Sequence, residues 1–387
     1  MHKRYLTTDI VLSAVKAVSL FFFLFNQYFN WFIGYTFNLS LLGFALLAVF
    51  AFLNGHKLDN LSFRRALFCL ATFFVWMLFS FVISRSGEYA NIKIQKIFLV
   101  FTGFAIVPYA FNRSLDYKLF KYLIILAAIF YAGGILYLNE LGAISFVRDS
   151  KGFFEKAPDY LGLSYILVFG IILLVDSFNI LKGFLLLAIL AAMLLLGARG
   201  PVIFLLLTFL MRFIFDFRRY LKTISLFYAF SGIMIIGYYV STSNFTEILE
   251  SRFEAALTNR QNSSLQGREF DYEYALTSLE SSPIIGDGIG SFGVVHYGID
   301  GKRHPHNLFL EISAETGLIG LLIFCVFIVT FVFSLTIGGQ NSNIFKAYKL
   351  EILSLLVFVF LESLKSSGLD EHRALFCFAG LMYTKFE

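Results

Sequence analysis

The stretch GDGIGSFGVVHYGIDGKRHPHNLFLEISAETGLIGLLIF, residues 286–324, organises the reading of this chain. It opens as a glycine-rich loop with Gly286, Gly288, Gly290 and Gly293. It then passes a basic and imidazole cluster, Lys302, Arg303, His304 and His306, and at Asn307 turns into an apolar helix. Two histidines flank one proline in His304-Pro305-His306, and four of the six histidines lie between His296 and His372. The sequence on either side is membrane-like, so the apolar remainder is expected to hold this segment at a bilayer surface.

Composition sets the class. Of 387 residues, 58% are hydrophobic and 15% charged, against roughly a quarter charged in a soluble domain. Apolar runs of about 18 residues or more recur, enough to cross roughly 30 Å of hydrocarbon as helices. The net charge of +5 is spread over loops and forms no single face, which argues against a nucleic-acid partner. Cys69, Cys325 and Cys377 fall inside apolar runs without C-x-x-C spacing, so neither disulfides nor a zinc site is expected. The N-terminus (His2, Lys3, Arg4, then apolar from Ile10) has no small-residue cleavage site after it and reads as a retained first span.

The fold class is therefore all-α, a polytopic transmembrane helical bundle of about twelve spans with one long periplasmic loop containing short helices. The spans fall near residues 9–25, 30–53, 66–84, 93–111, 119–138, 160–177, 179–197, 200–215, 221–241, 315–338, 347–365 and 372–385, the last being short. With the N-terminus in the cytoplasm, the inner segments carry seventeen Lys and Arg and the short outer segments nine. That bias favours both termini inside and the long loop outside. Three parts follow: residues 1–240 with the first nine spans, the loop 241–314, and residues 315–387 with the last three. In the loop, 246–257 and 268–279 read as helices, the second with Phe270, Tyr274 and Leu279 on one side and stopped by Ser281-Ser282-Pro283.

Several residues offer chemistry at the outer face. Arg199, in Gly197-Ala198-Arg199-Gly200-Pro201 at a span end, is either a snorkelling anchor or a fixed cation for a phosphate. Arg252, Arg260, Arg268, Lys302 and Arg303 lie in the loop; singly they read as surface charge, together as a site for an anionic lipid-linked ligand. Gly288-x-Gly290-x-x-Gly293 matches the dinucleotide fingerprint, but no strand–helix–strand unit surrounds it. It reads instead as a flexible turn or as a loop whose N–H groups approach a phosphate or sugar. His306 precedes a helix N-terminus, which disfavours a nearby cation. A neutral imidazole there can act as a general base, where the plainer reading is a helix cap. His304 is the weaker candidate. Glu311 and Glu315 could orient the histidine, balance the arginines, or be polar interface residues. Asp370-Glu371-His372-Arg373 reads as an ion-paired outer turn, and no metal-ligand spacing appears on that face.

The motifs Gly197-Ala198-Arg199-Gly200, Gly267-Arg268-Glu269, the Gly286–Gly293 run, His306-Asn307-Leu308-Phe309-Leu310-Glu311 and Glu315-Thr316-Gly317-Leu318-Ile319-Gly320 together resemble the O-antigen polymerase and ligase membrane proteins of bacteria. The resemblance covers about residues 197–324. It implies an inverting, metal-independent glycosyl transfer at the periplasmic face of the inner membrane, without cofactor. The donor it implies is an oligosaccharide on undecaprenyl pyrophosphate; the acceptor is a second lipid-linked glycan for a polymerase or the lipid A core for a ligase. Arg199 and Arg268, with Arg252, would hold the pyrophosphate and His306 would activate the acceptor hydroxyl. Asn307, Glu311, His304, Gly288 and Gly290 would support them. Membrane lipids are partners, and a chain-length regulator protein is a further one left open. The compact loop and the Phe and Tyr content favour a polymerase. A flippase or transporter for a lipid-linked sugar is the alternative of another class; it would place ionisable groups near the bilayer midplane, whereas here they gather at the outer face.

Overall fold

The computed structural model describes residues 2–26, 38–54, 60–141, 160–175, 180–196, 199–215, 263–337, 343–366, 368–384 and 386. Among them there is helix and turn but no strand. The helices are α1 (His2–Phe25), α2 (Leu39–Asn54), α3 (Leu61–Val82), α4 (Glu88–Ala110), α5 (Ser114–Glu140), α6 (Tyr160–Leu174), α7 (Ile180–Leu196), α8 (Arg199–Phe215), α9 (Ser263–Ser281), α10 (Phe292–Tyr297), α11 (Leu308–Ile337), α12 (Asn343–Ser363) and α13 (Arg373–Leu381), with a 3-10 turn at Leu369–Glu371. Every expected span except 221–241, which lies outside the described residues, coincides with a helix in its described part. The expected loop helix 246–257 also lies outside them.

Five helical segments among the described residues are long and apolar enough to cross a membrane: Thr8–Phe25, Leu61–Val82, Glu88–Ala110, Ser114–Glu140 and Leu308–Leu335. Four shorter apolar helices accompany them. The last expected span is α13, nine residues long, which at 1.5 Å per residue reaches only about 14 Å. It is buried against α4 rather than turned to lipid.

By packing, the chain divides into two units, residues 1–123 with 268–387, and residues 124–267. In the second, α6 packs on α7 and on α8, and Arg212 donates from Nη1 to the Ile172 carbonyl at 3.1 Å. The first unit holds the functional region. There α1 packs on α2, α2 on α4, α3 on α4 and α11, and α13 on α4 and α12. Residues 268–314, set apart as a loop by the sequence, pack into this unit.

One feature shapes it. Helix α11 breaks at Gly317, whose φ of 67° and ψ of −171° are not helical. A break in a helix frees carbonyls that need donors. Here the Ala314 carbonyl accepts from Asp287 N–H at 2.9 Å and the Glu315 carbonyl from Gly288 N–H at 3.0 Å. Ser80 Oγ adds a second donor to Glu315 O at 2.8 Å, and Trp76 Nε1 serves Thr316 O at 3.0 Å. On the far side, Leu318 N–H reaches Pro283 O at 2.8 Å. The glycine-rich loop is thus docked into the break. A Cβ on Gly317 would run into the backbone of Ile284 and Ile285. Gly317→Ala is expected to cost roughly 1–3 kcal/mol from this glycine-only backbone conformation alone, with the collision added. A thermal midpoint in detergent equal to wild type would contradict this account.

Candidate functional site

Three segments meet at one end of the first unit: the α3–α4 corner, the stretch from α9 to the start of α11, and the turn between α12 and α13. Ser84 Oγ donates to Ile289 O at 2.7 Å. Asp300 takes over the N-terminus of α4, which has no side-chain cap of its own. Its carboxylate accepts from Gly87 N–H at 3.0 Å, Glu88 N–H at 2.9 Å, Tyr89 N–H at 3.2 Å and Ser86 Oγ at 2.6 Å. The Ser86 hydroxyl and those amides hold the Asp300 carboxyl down at about 2. Lys302 pairs with Glu371 across the turn.

Helix α11 starts where the sequence places it. Asn307 Oδ1 accepts from Phe309 N–H at 3.0 Å and Leu310 N–H at 3.1 Å, two of the amides left unpaired at any helix start. Asn307 Nδ2 donates to Leu364 O at 3.1 Å, tying the cap to the end of α12. The residue before the cap is His306. Among the described residues it is the one non-glycine with positive φ, 53°. A left-handed backbone at a non-glycine residue is strained and persists where the surroundings impose it. Pro305 on one side and the capped helix on the other impose it here, and the imidazole is left 38% exposed.

His306 is shifted toward the neutral form, the direction expected from its place before a helix, but for other reasons. Burial is the main cause and the Arg268 guanidinium the next. Arg268 lies on α9 and is half-buried, and His306 Nε2 stands 3.9 Å from Asp271 Oδ2 on the same helix. His304 is buried, with its ring 4.6 Å from that of His306 and neither nitrogen hydrogen-bonded. Burial, then the charge of His306 and of Lys93, pushes His304 down to about 3.

Several expectations are corrected. The glycine-rich loop does not offer its amides to a ligand: the N–H of Asp287 and Gly288 serve α11 carbonyls, and that of Gly290 hydrogen-bonds the Glu315 carboxylate. Positive φ at Gly288 and Gly290 lets the chain pass close over Ser84 and Ala90, so these glycines build the site rather than line it. Among the described residues Glu311 and Glu315 hydrogen-bond neither a histidine nor an arginine. Both grip Lys93 of α4, at 2.5 Å and 2.6 Å, with Lys93 wholly buried. Glu311 Oε2 also accepts from Leu369 N–H at 2.8 Å. Asp370 is no surface residue; it is 1% exposed and pairs with Lys96 at 3.3 Å. On α9 the packed face is Tyr274, Ala275 and Ser278, and Phe270 is exposed. Lys93 and Asp271 are functional-region residues that did not stand out in the sequence. A lysine inside an apolar span was the available signal for the first; nothing marked Asp271.

The structure thus brings together His306, His304, Arg268, Asn307 and Glu311. Arg199 opens α8 in the second unit, and its side chain, like the whole of Arg252, lies outside the described residues.

Membrane-length helices joined at one end by a basic, imidazole-bearing loop define a polytopic helical membrane protein with a polar site at the end of an apolar bundle. Residues 184–325 match the model of the Wzy_C family, described as O-antigen ligase. This match supports the resemblance to the O-antigen polymerase and ligase proteins, and with it a membrane glycosyltransferase-type enzyme. No curated protein matches the chain. Lys93, Lys96 and Asp370 fall outside the matched stretch.

Proposed function

We propose that this protein is a surface-polysaccharide polymerase that transfers glycan from undecaprenyl pyrophosphate to a sugar hydroxyl of a second lipid-linked unit, outside the inner membrane. The observation that carries the reading is a part-exposed imidazole at His306 beside Arg268 at the end of an apolar bundle, shifted toward the neutral form mainly by burial. His306 Nε2 takes the proton of the acceptor hydroxyl as its oxygen attacks the anomeric carbon. The bond from that carbon to the pyrophosphate breaks with inversion, and its electron pair leaves on the phosphate oxygen. Arg268, with Arg199 and Arg252, neutralises the leaving pyrophosphate; the bilayer holds the lipid tail and orients the donor. In this assignment the termini are cytoplasmic, about twelve spans cross the membrane, and a chain-length regulator is a further partner.

Transfer to the lipid A core is the second reading, favoured by the description of the matching family. The test is a lipopolysaccharide gel from a Gram-negative source strain lacking the gene. Core bearing a single repeat unit supports the polymerase. Bare core with long polymer accumulating on undecaprenyl pyrophosphate supports the ligase. An unchanged ladder counts against both. In a complemented strain, Arg199→Lys is expected to reduce product by about tenfold or more with the protein still inserted, because lysine keeps the charge but loses the bidentate fork. A full ladder would remove Arg199 from the site.

A further inference from the structure

We propose that Asp271 is the positioning residue of His306, its carboxylate set 3.9 Å from Nε2 to receive the imidazolium that forms when the ring takes a proton. This rests on the reading of His306 as the base.

Arg268 and Asp271 stand three residues apart on α9, a spacing that puts them on one face, and both act on His306 with opposite sign. Burial and, after it, Arg268 shift the resting ring toward the neutral form that can accept a proton. Asp271 favours the charged ring. A carboxylate has no proton to offer a lone pair, and at 3.9 Å it makes no hydrogen bond to the ring, so the lone pair of the neutral ring stays free for the acceptor hydroxyl. The carboxylate becomes a partner once the proton has moved from the acceptor hydroxyl to Nε2. An opposite charge at this range favours the protonated form, and a base held by a third group is a recurrent arrangement for proton abstraction.

The carboxylate is itself held. Its side chain is 13% exposed, and Oδ1 accepts from the Tyr297 hydroxyl at 2.5 Å, leaving Oδ2 toward the ring. Burial and this bond push the Tyr297 phenol up to about 12, so it remains a donor throughout the working pH range. The Arg303 guanidinium sits over the Tyr297 ring at 5.1 Å. Tyr297 and Tyr274 pack around the Ala275, Phe292 and Ala314 cluster, which fixes α9 and α10 on the first turns of α11. The charged and titratable groups acting on His306 are Arg268 and Asp271 from α9, Glu311 from α11, and Lys302 and His304 from its own segment before α11.

The test uses the purified full-length protein in detergent. Diethylpyrocarbonate acylates the neutral imidazole, so its rate at His306, read by tandem mass spectrometry across pH, gives the midpoint of that ring without any substrate. Asp271→Asn is expected to lower the midpoint by about half to one pH unit. It should also reduce transfer from extracted undecaprenyl-pyrophosphate-linked glycan by roughly tenfold at neutral pH, with Asp271→Glu recovering most of it. Arg268→Gln should move the midpoint the other way. Tyr297→Phe keeps the carboxylate but frees it; a smaller downward shift is expected there, which tests the idea should Asp271→Asn fold poorly. An unshifted midpoint in both variants overturns the pairing. Transfer retained in His306→Ala overturns the base reading, and with it the catalytic purpose of Asp271, while leaving the midpoint shift intact.

Discussion

His306→Ala is expected to abolish glycan transfer while the protein still expresses, inserts and folds. The side chain is 38% exposed and makes no hydrogen bond that α11 depends on, because Asn307 caps that helix. Removing the imidazole leaves that cap and the backbone path in place, so the loss should appear in turnover. General-base loss is typically worth 10²–10⁴-fold, on the order of 3–5 kcal/mol of barrier. The pH dependence follows from the sign of the shift. The folded pKa lies below the ordinary histidine value, so wild-type transfer should persist as pH falls past about 6.5 and fail only below the depressed value. For the same reason the unfolded chain binds the proton first, and this histidine's contribution makes the fold less stable as pH drops below about 6.5. The check is a pH–rate profile on purified protein; wild-type turnover in the alanine variant would remove His306 from the chemistry.

Lys93→Met should be the most damaging change away from the chemistry. Lys93 is 0% exposed and its ammonium lies between Glu311 at 2.5 Å and Glu315 at 2.6 Å, themselves 2% and 3% exposed. Taking the cation away leaves two carboxylates facing each other without water. Breaking a buried ion pair from one side costs roughly 3–5 kcal/mol, a large part of a protein's total stability. The loss reaches function as well, because the same glutamates hold Leu369 and Gly290, and Glu311 is one of the charges acting on His306. Detergent thermal melts are expected to show a collapsed midpoint for Lys93→Met and substantial recovery when Glu311→Gln and Glu315→Gln are added, since the amides carry no uncompensated charge. A single variant as stable as wild type would show that the cluster is hydrated and weak.

The chain was readable where the physics is local. Helical class follows from apolar runs too long for anything but a buried or membrane helix, and the start of α11 from an asparagine set before them. His306 stood out because an imidazole beside a helix start is chemically unusual in so apolar a sequence. The glycine run was visible too, but its purpose was not: the sequence showed flexible backbone near a site, whereas the backbone fills the break at Gly317. Glu311 and Glu315 were seen as a pair four residues apart, yet their partner is 218 and 222 residues away.

By itself, then, the sequence determined a helical membrane protein, the boundary at Asn307 and the residue types available for proton and phosphate chemistry. Periodicity, capping and composition act over a few residues and leave their mark there. Tertiary structure alone decided that α11 breaks, that Asp300 caps a helix more than two hundred residues earlier, that Lys93 is sealed between two glutamates, and that Asp271 and Arg268 act on His306 with opposite sign. Those outcomes depend on which buried polar group finds which partner once water is excluded, and the spacing of residues along the chain carries no record of that.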